Sequence, residues 1–459
     1  MTVNPTWRRL TNAGAWFALT LVSRVSGFLR GILVARFLAP ETASLGFIAI
    51  SLSEGIRALG EMGTAQLIVT RREVDDAVLG SAWLVEILKF TAATLLLVIA
   101  AGVGGSLAPN FDESIVISAA LITAFRVGTN PVLFVWEREQ RMRAYLVATS
   151  VATVAGLLAT TFLLVVFNTW LALPLGVATG SLTLVVYTNW VGVPVRTVFL
   201  ARTSTVVDFA RRGAPYVAAG VAAYVSNLGL DLVLALQGLS GSVGAYRLSA
   251  ALAFAAIYVL PASLARASVS ADAVHRPEAG RGQAAALNFG ASLAALSTMV
   301  SIGCLSTAAN WLYGPVWSGP VSDLIGPVCV FVGTRAVAAP FGGLLIARGA
   351  HRSENLVRLV ESISGTFVFA LLTSEGLPAA ILASSCSYFL GLLVRGVLFA
   401  QFGSALGITS RSRRLLFFGL VWPLSFFLAV VAGTNLAWVL GAGAAVFLVT
   451  TSALELRRG

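Results

Sequence analysis

Hydrophobic stretches of roughly 18–27 residues, the length a helix needs to cross a bilayer, follow one another along almost the whole chain. About fourteen result, near 13–38, 45–69, 78–104, 115–136, 145–167, 170–194, 213–236, 243–265, 284–309, 321–347, 357–374, 377–400, 414–432 and 434–453. Most of the 31 basic residues fall at the two ends or in every second loop, among them Arg71, Arg72, Arg138, Arg141, Arg143, Arg211, Arg212, Arg348 and Arg352. The other loops are bare or acidic, with Glu41, Asp112, Glu113 and Glu375. Retained Lys and Arg mark the cytoplasmic side of a membrane. The expectation is an all-α, polytopic protein of the inner (cytoplasmic) membrane with both termini in the cytoplasm.

Composition agrees. Hydrophobic residues make up 57% of the chain and charged residues 11%, whereas a soluble protein carries about a quarter charged. The net charge of +11 follows from the basic loops. No basic stripe with interleaved aromatics is present, so nucleic acid is not an expected partner. The longest hydrophilic segments, about 195–212 and 266–282, are too short for a catalytic domain. The P-loop, HExxH and GxSxG patterns are missing. A transporter without chemistry of its own is expected, with no catalytic residue and no cofactor. Cys304, Cys329 and Cys386 are odd in number and form no CxxC, and His275 and His351 stand alone, so neither a disulfide nor a metal site is indicated. Arg8 and Arg9 precede a long apolar run without a small-residue cleavage site, which reads as an uncleaved first span.

A weak repeat recurs at an offset of about 200 residues. The run from Val25, Ser26 and Gly27 to Ala35 returns as Val225, Ser226 and Asn227 to Ala235. The turn at Ser44, Leu45 and Gly46 returns at Ser242, Val243 and Gly244. Two six-span lobes, 1–200 and 201–400, related by a pseudo-two-fold axis along the membrane normal, would be followed by two extra spans in 401–459.

The charges inside the spans are the candidate site. Counting about 1.5 Å per residue from the span ends puts Arg24, Glu54, Arg57, Lys89, Arg126 and Arg335 near the midplane. Each central charge costs roughly 2.5–3.5 kcal/mol on insertion scales. Glu54, Arg57 and Glu61 share one helix face, and Glu86 and Lys89 stand three apart; both sets fit internal ladders or coupling groups. Arg24, Arg126 and Arg335 have no acidic residue within a turn of their own helix. Two readings stand for them: a shared cavity that binds an anion, extended by Arg30, or neutralisation across helices. Asp231 and Arg247 lie near the outer ends of spans seven and eight, as an outer gate or a static pair. Asn130 and Pro131 should kink or break span four, and Pro215, Pro261 and Pro340 are weaker candidates for the same effect.

The stretch Ser23, Arg24, Val25, Ser26, Gly27, Phe28, Leu29, Arg30, followed by Val34, Ala35 and Arg36, resembles the first span of lipid II flippases. Leu38 to Glu41, Leu45 to Phe47, and Glu61 to Ile68 resemble O-antigen and exopolysaccharide flippases. Both belong to the multidrug/oligosaccharidyl-lipid/polysaccharide exporter superfamily. The resemblance implies a fourteen-span, two-lobe fold in which Arg24 and Arg30 line a central cationic cavity and Arg57 occupies a second-span basic position. Leu45 and Gly46 stand where lipid II flippases carry an acidic residue, which favours the oligosaccharide branch. The implied function is a flippase for polyprenyl-pyrophosphate-linked oligosaccharide, bound by Arg24, Arg30, Arg57, Arg126 and Arg335. Glu54, Glu61, Glu86, Lys89, Asp231 and Arg247 would serve coupling or gating. Its partners would be the lipid-linked oligosaccharide, membrane lipids, and a polysaccharide polymerase and glycosyltransferases. Alternatives are a drug or cation antiporter, a lipid II flippase, and a non-transporting scaffold.

Overall fold

The structure is a computed structural model that describes residues 5–402 apart from 60–63, 65–66, 69–72, 108–112, 140, 194, 260, 262–279 and 348–349. The expected spans near 414–432 and 434–453, and Glu61, lie outside the described residues. Helices dominate, and there is no strand among the described residues. They are α1 (Pro5–Phe37), α2 (Pro40–Leu59), α3 (Asp76–Leu107), α4 (Glu113–Ala124), α5 (Val132–Arg138), α6 (Met142–Phe167) and α7 (Ala172–Val191). There follow α8 (Thr203–Tyr224), α9 (Leu230–Leu236), α10 (Ser240–Ala253), α11 (Gly280–Tyr313), α12 (Pro315–Ala347), α13 (His351–Leu372) and α14 (Leu377–Phe402). Each of the first twelve expected spans has a helical counterpart. Among the described residues, six helices are long and apolar enough by themselves to cross a membrane. The chain is a multi-pass membrane protein.

The packing forms two compact units, Val25–Arg247 and Met1–Arg24 with Leu248–Gly459. Within the first unit α8 packs on α2 and α3, and α9 packs on α2. The two repeated turns also meet within the first unit. Ser44 Oγ accepts from the Gly244 N–H (2.8 Å) and donates to the Gly241 carbonyl (3.3 Å).

Helix α6 shows how an apolar sequence chooses its buried face. Ala148, Ala152, Gly156, Thr160 and Leu164 recur every four residues and are buried. Val147, Val151, Val154, Leu158 and Phe162 point outward. In lipid, size rather than polarity sorts the faces, because small residues let backbones approach. Helix α7 answers with Gly176 and Gly180. A Cβ on Gly176 would overlap Thr160 Oγ1 and stand 2.9 Å from the Gly156 carbonyl oxygen. Gly176→Val should therefore lower membrane abundance, since forcing methyl groups into a packed contact costs about 1–3 kcal/mol. Fluorescence of a tagged protein in isolated membranes measures it; abundance equal to the parent's would refute the contact.

Helix α12 is the interior element of the second unit: 78% of its apolar window is buried, consistent with a helix that is hydrophobic all round. Gly314, at φ 82°, closes α11, and Pro315 opens α12. A left-handed residue ends a helix readily as glycine, and proline at the next start loses no hydrogen bond. Pro340 lies inside α12 without interrupting it, and α8 runs through Pro215. Pro261 is helical, while residues 260 and 262–279 lie outside the described set.

Span four does break. Helix α4 ends at Ala124 and α5 begins at Val132. The exposed backbone groups are taken by two carboxamides. Asn130 Nδ2 donates to the Val193 carbonyl (2.8 Å), its Oδ1 accepts from the Val132 N–H (3.0 Å), and Asn189 Nδ2 donates to the Gly128 carbonyl (3.2 Å). Spans seven and eight are interrupted by π-helical turns, Val225–Gly229 and Phe254–Tyr258.

Candidate functional site

Five groups of charged side chains sit within the described helices. The first lies on α2 of the Val25–Arg247 unit. Arg57 Nε reaches Glu54 Oε2 at 2.8 Å, as the three-residue spacing predicts. Arg126, from the break in span four, reaches Glu54 Oε1 at 2.7 Å and donates from Nε to Ser181 Oγ (3.3 Å). One carboxylate is thus shared by two guanidiniums from different helices. Arg126 Nη1 and Arg30 Nε are buried without a hydrogen-bond partner. The tip of Arg30 lies against Gly156, in the small-residue seam of α6 and α7.

On the same unit, Asp231 is fully buried and pairs with Arg247. Ser51 sits between them, donating to Asp231 Oδ2 and accepting from Arg247 Nη2 (2.7 Å). The pair expected from sequence is therefore formed, with a serine from α2 as a third member. Asp231 Oδ1, Arg247 Nε and the Tyr224 hydroxyl are buried without partners. The phenol fits only because Gly55 faces it: a Cβ there would stand 2.7 Å from Oη. Glu86 and Lys89 form a buried pair on α3, with the ammonium 4.6 Å from the centre of the Phe90 ring.

The other unit brings Arg24 and Arg335 to one place. Cζ of Arg24 lies 4.9 Å from the centre of the Phe254 ring and 5.5 Å from that of Tyr258. Cζ of Arg335 lies 5.6 Å from the same Phe254 ring, and 5.5 Å from each of Phe331 and Tyr388. The rings meet edge to face, Phe254 with Tyr258 and Phe331 with Tyr388, each at 5.3 Å. A ring face attracts a cation through its quadrupole and supplies no formal negative charge. These four aromatics are not evident from sequence, where intramembrane Phe and Tyr read as ordinary packing. The i, i+4 spacing of Phe254 and Tyr258 is the available signal.

A network that sequence reasoning missed ties α13 to α14. Arg395, 2% exposed, donates from Nε to Glu354 Oε2 (2.9 Å) and from Nη2 to Glu354 Oε1 and Glu361 Oε2 (3.0 Å each). Its Nη1 also contacts Glu361 Oε1. Arg358 adds a bond to Glu354 at 2.6 Å. Among the described residues, no group of His, Cys, Asp and Glu is arranged to hold a metal ion.

The fold itself is similar to ones already solved. The chain is similar in fold to the lipid II flippase MurJ in an inward closed conformation, at 13% identity and TM-score 0.62, over 96% of this chain and 98% of that one. It is equally similar to a multidrug resistance MATE family transporter of the MOP superfamily in an inward-facing conformation, at 14% identity and TM-score 0.62, over 89% and 100%. A MOP superfamily transporter from Pyrococcus furiosus matches at 12% identity and TM-score 0.54, over 88% and 97%. No curated protein is significantly similar in sequence. The family model described as polysaccharide biosynthesis protein matches residues 33–321. Because that match spans well over half of its length, the chain belongs to the polysaccharide biosynthesis protein family.

Proposed function

We propose that this protein is a flippase that moves a polyprenyl-pyrophosphate-linked oligosaccharide from the cytoplasmic to the external leaflet of the inner membrane, both termini lying in the cytoplasm. The observation that carries the reading is the meeting of Arg24 and Arg335 over one aromatic ring. Intramembrane arginines are costly and mark substrate pathways, and guanidinium matches phosphate oxygens with a planar fork. Arg30, Arg57 and Arg126 would add a second basic surface. The sugar and pyrophosphate enter the protein while the polyprenyl tail stays in lipid.

Transport would proceed by alternating access, without an ATPase or any enzymatic step in this chain. The drive would be an ion gradient or the membrane potential, worth about 2.3 kcal/mol per charge per 100 mV. Glu54, Glu86, Lys89, Asp231 and Arg247 are the coupling or gating groups; Glu61 would join Glu54. A polysaccharide polymerase and glycosyltransferases would act before and after it. A drug or cation antiporter needs an acidic pocket open to a cationic substrate. Here Glu54, Glu86, Asp231, Glu354 and Glu361 are each engaged by Arg or Lys.

Deleting the chain in its host tests the reading. Surface polysaccharide should fall to background while the lipid-linked oligosaccharide accumulates, protected from a glycosidase added outside intact cells. Undiminished surface glycan, or an accumulated precursor that the external enzyme digests, would overturn it.

A further inference from the structure

We propose that Phe254 is a positioning residue that sets two arginines, Arg24 and Arg335, to take the two phosphoryl groups of one pyrophosphate. The inference rests on the flippase reading for its ligand class. It adds the aromatic shell that prepares the two arginines and the role of Phe254 within it.

Three observations carry it. First, Phe254 is a ring shared by both guanidiniums, which are therefore no further apart than the two ring distances taken together. An anion that reaches both guanidiniums is attracted by both. Pyrophosphate has two phosphoryl groups joined by one oxygen, so each fork can take its own group.

Second, the rings are packed edge to face against one another. The edge-to-face pairs Phe254–Tyr258 and Phe331–Tyr388 orient ring faces toward the cations. Phe254 is buried, 9% exposed, and Phe331 is 2% exposed. A guanidinium held by rigid faces loses less rotamer freedom when the ligand arrives. Third, Phe254 and Tyr258 begin and end a π-helical turn. Such single turns are rare and recur at functional sites. Here the turn puts both rings beside Arg24.

The test is binding of a short-chain prenyl pyrophosphate to the purified full-length protein in nanodiscs, by titration calorimetry. Phe254→Leu keeps apolar volume and loses the ring face; Phe254→Tyr keeps the face. Leu should weaken affinity roughly tenfold, the scale of a desolvated cation–π contact or two, and Tyr should restore it. Tyr388→Leu and Tyr388→Phe give the same comparison at Arg335 alone, in case Phe254→Leu does not fold. Leu variants that bind like the parent would overturn the inference and leave the flippase reading intact. Equal weakening by Leu and Tyr at position 254 would also overturn it, because packing rather than the ring face would then be responsible. A parent protein that binds no prenyl pyrophosphate would remove the flippase reading itself.

Discussion

Arg395→Met should remove the protein from the membrane. The side chain is buried and holds both carboxylates of Glu354 and Glu361, so its loss strands two acids beside a single remaining cation, Arg358. Breaking a buried pair by deleting one partner costs about 3–5 kcal/mol, a large part of a typical folding free energy. The neighbouring backbone cannot close over the gap. Gly342 and Gly391 already lie against the Glu354 and Glu361 carboxylates with no room for a Cβ. The companion variant separates charge from packing. Glu354→Gln and Glu361→Gln added to Arg395→Met replace stranded charge with neutral amides, and should recover much of the lost abundance. The readouts are membrane abundance of a tagged protein and its thermal midpoint in detergent. A stable Arg395→Met protein, or no recovery in the triple variant, would show that the network is not what ties α13 to α14.

Arg24→Ala should stop glycan export while the protein still accumulates, and Arg24→Lys should be the milder lesion. Alanine removes the charge and the fork, taking one cation from Tyr258 and leaving Phe254 to Arg335. Lysine still binds phosphate as a point charge but loses the two-pronged contact. Truncating one partner of a buried, charge-assisted contact costs about 2–5 kcal/mol, so a loss of roughly thirtyfold or more is expected for alanine. A purely structural role predicts the reverse pattern, with low abundance for alanine and near-normal behaviour for lysine. Surface polysaccharide and membrane abundance must be measured together on each variant. Full export by a stable Arg24→Ala protein would rule out an essential grip on the headgroup.

What is legible in the sequence follows the range over which its patterns act. Span positions come from the length of apolar runs, and all twelve expected within the described residues have helical counterparts. Glu54–Arg57 and Glu86–Lys89 are visible because three residues along a helix are neighbours in space whatever surrounds it. The break at Asn130 is visible because proline lacks a donor. Asp231 with Arg247 is legible through the turn joining their spans. Contacts between spans distant in sequence are not legible this way. Arg126 finds Glu54 only because α2 packs against α4, and nothing in either helix announces which way it turns. Arg395 is missed for the same reason, and Glu354 and Glu361 look like an ordinary polar face at the start of a span. The π-helical turn at Phe254–Tyr258 contains no proline or glycine to separate it from regular helix, and the lone Gly229 that ends Val225–Gly229 is no more telling than other intramembrane glycines.

The two carboxamides at the break in span four have a consequence for permeability. Free carbonyl and amide groups inside hydrocarbon draw in water, and water threaded through a bent helix conducts protons. Asn130 and Asn189 give the Gly128 and Val193 carbonyls and the Val132 amide partners made of protein. Those three backbone groups at the bend that carries Arg126 therefore need no water. A broken span can thus sit in a membrane without offering these groups to a file of water.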